Sequence, residues 1–440
     1  MAVRRLSATK WECPLNPLAS VAENERMPRE SPSRGVASHW GNLLLFPFDV
    51  LAACEGSSLR SLISRLTGIS PAHLSQEGFN VKGARRLERI GEHSQRVSRE
   101  YLRDKGYSEQ EVDGVLAAHP RTPLASFAYR LGQASPLPLE HAIAYCAKVD
   151  RLAADVLAHI EGGDFESCKQ VLADFLVDEA QVYASEELRH EALGLRQAIL
   201  EAREWQALVK PSATAASYAL MAALAAVDVE WGARYLGRLQ PVPTFFWMQP
   251  KFHPDFDPTN SNGLKRDVVA RPTRHLFELL WAVAKRGTGR KEWPTEKPGP
   301  KELTQDIAHE STSDLVVRKW VSGAKPLRFD QAVELWSSLT TNLSGEGCFE
   351  VPVPWISLAL WMERSLVRKK PGSSLAGTVI VLCHESYGNI WEGHRRRWAD
   401  RLPAPADLPW PEWLRAQSSS PGFMRSSQSF GLRLSPLDCQ

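Results

Sequence analysis

The chain has 440 residues, enough for roughly two to four domains. Hydrophobic residues make up 43% and charged residues 24%, a balance that supports a packed core and excludes global disorder. Lysine and arginine number 53 against 51 aspartate and glutamate, so the net charge of +2 excludes a chain-wide polyanion-binding surface. Any nucleic-acid contact has to come from a local basic patch.

The seven cysteines, Cys13, Cys54, Cys146, Cys168, Cys348, Cys383 and Cys439, are far apart, odd in number and without a CxxC pair. That spacing argues against a disulfide scaffold or zinc module and fits reduced thiols in a cytoplasmic protein. The arginines near Met1 are followed by no apolar stretch, so no secretory signal is read. The longest apolar region, Ala213 to Val229, contains Asp228 and falls short of a bilayer span of about 20 residues. It predicts a buried core helix and no membrane segment.

Residues 1–40 mix Pro, Ser, Arg and Glu without periodicity and are expected to form a flexible arm, with regular structure from Leu43. Residues 41–240 predict a helical bundle. Leu59, Leu62, Ile63 and Leu66 recur at helical spacing; Gly68 can end that helix, and Ser70 with Pro71 can begin another. The arginine-rich stretch Lys82 to Arg103, interleaved with Glu88, Glu92 and Glu100, reads as a solvated, ion-paired helix face. Further helices are expected over His141 to Ile160, Phe165 to Val182, Glu186 to Leu208 and Ser212 to Leu239, with Gly162 and Gly163 breaking the first from the second. No repeat of about 34 residues supports a solenoid.

The Pro- and aromatic-rich residues 241–273 read as a linker. Helix returns at Arg274 to Lys285, with Leu276, Leu279, Leu280 and Val283 on one face. Residues 344–415 predict a small Trp-rich region: a helix at Ile356 to Val367, a buried strand at "TVIVLCH", and a helix at Gly388 to Arg401. The Ser-rich residues 416–440 read as a flexible tail.

The segment "KELTQDIAHESTSDLVVRKWVSGAKPLRFDQAVELWSSL" reads as three helices. Leu303, Ile307 and Ala308 give the first an apolar side. Ser311 to Ser313 offer hydroxyl caps for the second, on which Leu315, Val316, Trp320 and Val321 are expected to face inward. Gly323 ends it, Pro326 follows, and Phe329 to Leu339 form the third. This order resembles the phage-repressor (Cro/C1-type) helix-turn-helix family at Leu303, Ile307, Ser311, Val317, Trp320, Gly323, Pro326 and Leu335, with Arg274 to Lys285 standing for the family's first helix. The resemblance covers residues 274–343. The loop "GTGRKEWPTEKPGP" lengthens the gap between the first two helices.

The resemblance implies double-stranded DNA as partner. It places Thr312, Ser313, Asp314 and Arg318 near base edges or the adjoining backbone, and Lys319, Lys325 and Arg328, with Arg290 and Lys291, near phosphates. Asp314 there would oppose phosphate unless it meets a cytosine amine or Arg318. A purely structural helical subdomain is the competing reading.

Other constellations carry less. In "CHESYGNIWEGH", Cys383, His384, Glu385 and His394 lack metal-ligand spacing, and no orienting acid or oxyanion turn completes a nucleophilic site. Asp255, Asp257, Asn260 and Asn262 lack the order of a calcium loop and read as Asx-turns. Trp391 and Arg395 are four apart and can stack, although an amphipathic helix with buried tryptophans accounts for them better. There is no GxxxxGK[ST], no GxGxxG after a strand, no HExxH and no GxSxG, so neither cofactor nor metal nor familiar hydrolytic chemistry is expected.

The expected fold is mainly α: a multidomain helical bundle with a helix-turn-helix-like subdomain and a small Trp-rich C-terminal region. The expected function is DNA binding or regulation, with the bundle engaging a protein partner. The alternatives are a helical interaction adaptor without a nucleic-acid role, and an enzyme of unfamiliar type using Cys383, His384 and Glu385.

Overall fold

A computed structural model describes residues 32–67, 96, 99–100, 103, 106, 108–118, 122–132, 139–183, 185–235, 248, 250–253, 268–287, 294–307, 313–322, 324–344, 352–366 and 375–402. Fifteen helices and one pair of short strands make up these residues, a mainly α bundle. In the first half the helices are α1 (Pro32–Leu44), α2 (Phe46–Glu55), α3 (Leu59–Thr67), α4 (Glu109–Ala118) and α5 (Pro123–Gly132). They continue as α6 (Glu140–Gly162), α7 (Phe165–Ala180), α8 (Glu186–Glu201) and α9 (Trp205–Tyr235). Strands β1 (Lys251–Phe252) and β2 (Val268–Ala270) follow. The second half holds α10 (Pro272–Gly287), α11 (Pro300–Ile307), α12 (Asp314–Val321), α13 (Phe329–Ser344), α14 (Val353–Ser365) and α15 (Leu375–Arg397).

Local signals set the helix ends. Gly163 adopts φ 70°, a left-handed conformation that favours glycine, and its N–H donates back to the carbonyls at the end of α6. Asp164 then accepts from the Ser167 N–H and starts α7. Ser185 accepts from the Leu188 N–H at 3.1 Å and starts α8. The glycine pair therefore ends one helix and the capping residues begin the next, which brings α6, α7 and α8 side by side.

Helix α9 is the centre. Its small residues let α1, α6 and α15 approach closely, and α15 packs against it most extensively. By length and composition α9 could cross a membrane, but 94% of its apolar window is buried within the bundle. Its two buried acids are engaged: the Ala142 N–H donates to Glu230 Oε2 at 2.7 Å, and the Tyr387 hydroxyl donates to Asp228 Oδ2 at 3.1 Å. Glu230 thus satisfies a free N–H in the first turn of α6 and places negative charge at its positive end. Asp150 does the same for α5, accepting from Leu124 and Ala125 N–H at 3.1 and 3.0 Å.

The second half is built into the first. Helix α14 lies on α2, where the Trp361 indole donates to Asp49 Oδ2 at 2.9 Å. Arg364 donates to the carbonyls of Ala52 and Ser57 at the C-terminal end of α2. Helix α10 in turn packs on α14, α13 and α12. The described residues, from Pro32 to Leu402, belong to one compact unit.

Three expectations need correction. Among the described residues, regular structure begins at Pro32, not Leu43, because Val36, Ala37 and Trp40 are spaced to bury one helical face, and Trp40 donates to Ser212 Oγ of α9 at 2.8 Å. The run "TVIVLCH" lies inside α15, a helix, because packing along α9 overrides its β-branched composition. Within the expected linker, β1 and β2 form an antiparallel pair. The expected arm up to residue 31, most of the stretch Lys82 to Arg103, Gly68, Ser70, Pro71, the Asp255–Asn262 loop and the tail lie outside the described residues.

Candidate functional site

Helices α10 to α13 carry the segment singled out in the sequence. Leu303, Thr304 and Ile307 bury one side of α11. Asp306 ties α11 to its neighbours: its carboxylate accepts from the Trp281 indole of α10 at 2.8 Å and pairs with Lys285 at 3.4 Å, and its carbonyl accepts from Asn342 of α13 at 3.2 Å. Helix α12 packs on α10 and α11.

Ser313 precedes α12 with extended backbone (φ −65°, ψ 147°), and its side chain makes no capping bond. Its carbonyl accepts from Val316 and Val317 N–H at 2.9 and 3.2 Å. Asp314 in the first turn and Arg318 and Lys319 in the last complement the helix dipole. Val317 and Trp320 are buried, with Val316 and Val321 half-buried. Leu315, expected to face inward, is instead 61% exposed. Trp320 sets the phase, and the residue three before it, Val317, shares its face, which turns Leu315 outward.

The seat of α12 is anchored from beneath. The Thr273 hydroxyl lies 3.1 Å from Glu363 Oε2 and 3.4 Å from the Trp320 carbonyl, so its single proton can serve either acceptor. Arg271 pairs with the same Glu363 carboxylate. Beyond α12, the Lys325 N–H donates to the Lys319 carbonyl at 3.0 Å, and the Lys325 ammonium sits 5.2 Å from the centre of the Trp320 ring.

Ser313, Asp314, Arg318, Lys319, Lys325 and Arg328 are all exposed; Thr312, like Ser311, Gly323, Arg290 and Lys291, lies outside the described residues. Arg318 and Lys319 enter no ion pair or side-chain hydrogen bond among the described residues. Asp314 and Arg318 share a helical edge but form no ion pair with each other. Arg328 pairs with Asp330 at 2.7 Å, and its aliphatic stem lies beside Gly56, whose left-handed φ of 76° ends α2. Arg328 therefore faces the turn between α2 and α3 rather than α12 alone.

Sequence reasoning missed a second group of polar residues. Tyr145 of α6, Glu179 of α7, Tyr183 just beyond it and His394 of α15 are all buried and face one another. The Tyr145 and His394 rings meet edge to face at 4.6 Å. Trp398 lies between two imidazoles, stacked on His394 at 5.1 Å and on His141 at 5.5 Å. Lys148 reaches Glu179 Oε1 at 3.5 Å from the half-exposed rim. Burial raises the Glu179 carboxyl and pushes the Tyr145 and Tyr183 phenols up, while it lowers His394 to about 3, with Arg397 adding to the effect. His394 is thus held neutral. The signal available in sequence was the pairing of "GH" with "RRRW" at helical spacing, which gives no hint of the distant partners on α6 and α7.

Cys383, His384 and Glu385 lie on the backbone of α15, their side chains outside the described residues. Trp391 is buried, and Arg395 and Arg396 both pair with Glu392, at 2.6 and 2.9 Å, so the cations bind a carboxylate on their own helix. Among the described residues no cluster of His, Cys, Asp and Glu has the arrangement to hold a metal ion. Compared with known proteins, the chain matches no family model, no curated protein and no solved structure.

Proposed function

We propose that this protein binds double-stranded DNA through the outward edge of α12. One observation supports the reading above the others: Arg318 and Lys319 stand next to each other, exposed and unpaired among the described residues, on a helix held by Val317 and Trp320. Cations already paired with carboxylates must give up that partner before they meet phosphate; these two need not. The near-neutral chain makes such a local cationic edge its means of meeting a polyanion.

In this reading α12 enters the major groove, and Ser313 and Asp314, with Thr312 before them, lie toward base edges. Asp314 accepts from a base amine, most often that of cytosine, and is repelled by phosphate, which disfavours misplacement. Lys319, Lys325 and Arg328 meet phosphates and set the register. Arg328 first exchanges Asp330 for phosphate, a small cost for an exposed pair.

The test is titration of the full chain with a labelled duplex pool at several salt concentrations. Arg318→Ala with Lys319→Ala should weaken binding and flatten the dependence of log affinity on log salt by about 0.9 for each phosphate no longer neutralised. Absence of duplex binding at low salt overturns the reading. It would favour the adaptor alternative, for which exposed Leu51 of α2 and Leu193 of α8 offer apolar docking points.

A further inference from the structure

The exposure of Leu315 has no structural use within the fold. It contributes nothing to the seating of α12, which is held by Val317 and Trp320, and its isobutyl group is 61% exposed. On the helix surface it neighbours Arg318 three residues on and Lys319 four residues on, with Asp314 beside it and Ser322 at the far end of the same edge. The edge is therefore an apolar point flanked by two cations unpaired among the described residues. Its complement is a partner that is anionic at its rims and apolar at one recessed spot.

The major groove of a duplex has that form. Phosphates line its rims, and its floor carries donors, acceptors and a single kind of apolar group, the C5-methyl of thymine. A groove-entering helix meets base edges with its N-terminal turn, and Leu315 is the second residue of α12. Arg318, one turn later, then comes within reach of guanine O6 and N7 or of the rim, and Lys319 of a phosphate.

We propose that Leu315 is a sequence-reading residue of α12, packing on a thymine methyl group and so giving the target site a preferred thymine. This rests on the DNA-binding reading above and goes beyond it, because that reading places only polar and charged side chains against the duplex and assigns no apolar contact.

The experiment uses the full chain. Duplexes recovered by selection from a randomised pool are titrated at fixed salt, with each thymine replaced in turn by deoxyuridine, which removes only the methyl group. The wild-type chain should lose about fourfold in affinity at one position, the value of one buried methyl-sized group. Leu315→Ala should bind more weakly and be indifferent to the same replacement. Its exposed site leaves the fold intact, checked by an unchanged circular dichroism spectrum and melting temperature.

If the wild type binds in a salt-sensitive way but is indifferent to deoxyuridine at every thymine, or if the selected pool shows no sequence preference, the Leu315 assignment fails and DNA binding stands. The assignment fails equally if Leu315→Ala keeps the wild-type response, or if it only dissociates an oligomer. If no duplex binds at low salt, the DNA-binding reading itself has failed and the assignment with it.

Discussion

Gly393 of α15 presses directly on the carbonyl oxygen of Val182, so closely that a Cβ added to the glycine would collide with that oxygen. The contact lets α15 approach the end of α7, and it sets the depth at which the next residue, His394, enters the core. Backbone cannot yield as a flexible side chain can, so Gly393→Ala should cost about 1–3 kcal/mol through overpacking. Gly388, on the same helix, has open space where its Cβ would stand, and Gly388→Ala should stabilise by about 0.5–1 kcal/mol. Urea unfolding of the two variants checks the pair; equal effects would show that the close approach is not structural.

The buried cluster should shape stability at both ends of the pH scale, with opposite signs. His394 is depressed in the folded chain to about 3, so the unfolded chain binds more protons below its ordinary value of 6.5. Its contribution is present above pH 6.5 and is lost as pH falls toward 3, with a slope of up to about 1.4 kcal/mol per pH unit. His394→Phe should flatten the acid side of the stability profile.

Glu179 behaves in reverse. Its carboxyl is raised by burial, so the contribution of its neutral form is complete below the usual carboxylate range and is lost as pH rises through the folded value. Glu179→Gln should therefore gain on wild type as pH increases. Unfolding midpoints across pH 4 to 9, a span of about five units chosen to bracket both groups, would show it; parallel profiles for wild type and variant would be the contrary result.

Glu363 joins three elements through Arg271, Thr273 and the seat of α12. Glu363→Ala should destabilise by about 3–5 kcal/mol, because it leaves the Arg271 guanidinium largely buried without its partner. Thr273→Val keeps the ion pair and should cost only about 1–2 kcal/mol. If α12 is seated through this hydroxyl, hydrogen exchange in Asp314 to Val321 should quicken more in Thr273→Val than in the Gly388→Ala control.

Arg318→Ala and Lys319→Ala should leave stability within about 0.5 kcal/mol of wild type, as both are exposed and unpaired among the described residues. A larger loss in thermal unfolding would mean that these cations serve the fold, and any effect on duplex binding would then be indirect.

Much of the helical order was readable from local signals. The Gly162–Gly163 break and the spacing of Leu276, Leu279 and Leu280 predict their elements within a turn. Errors came where one local pattern admits two structures. Leu315, Val316 and Val317 are consecutive and apolar, so only the partner of Trp320 decides which faces inward. The run from Thr378 to Val381 is β-branched, and its helical state follows from α9, far away in sequence. Partners of buried carboxylates are equally invisible: Glu230 serves Ala142, and Glu363 serves Arg271, across long separations. The outward edge of Arg318 and Lys319 was legible because charge and helical phase agree there.

The central place of α9 has a consequence during synthesis. A nascent chain that has not yet emitted α15 carries a 31-residue apolar helix whose largest packing surface is still uncovered. Such a chain exposes an adhesive surface while translation continues, and its closure waits for contacts of high sequence separation. Ribosome stalling before α15 emerges would therefore yield a product that needs chaperone capture to stay dispersed.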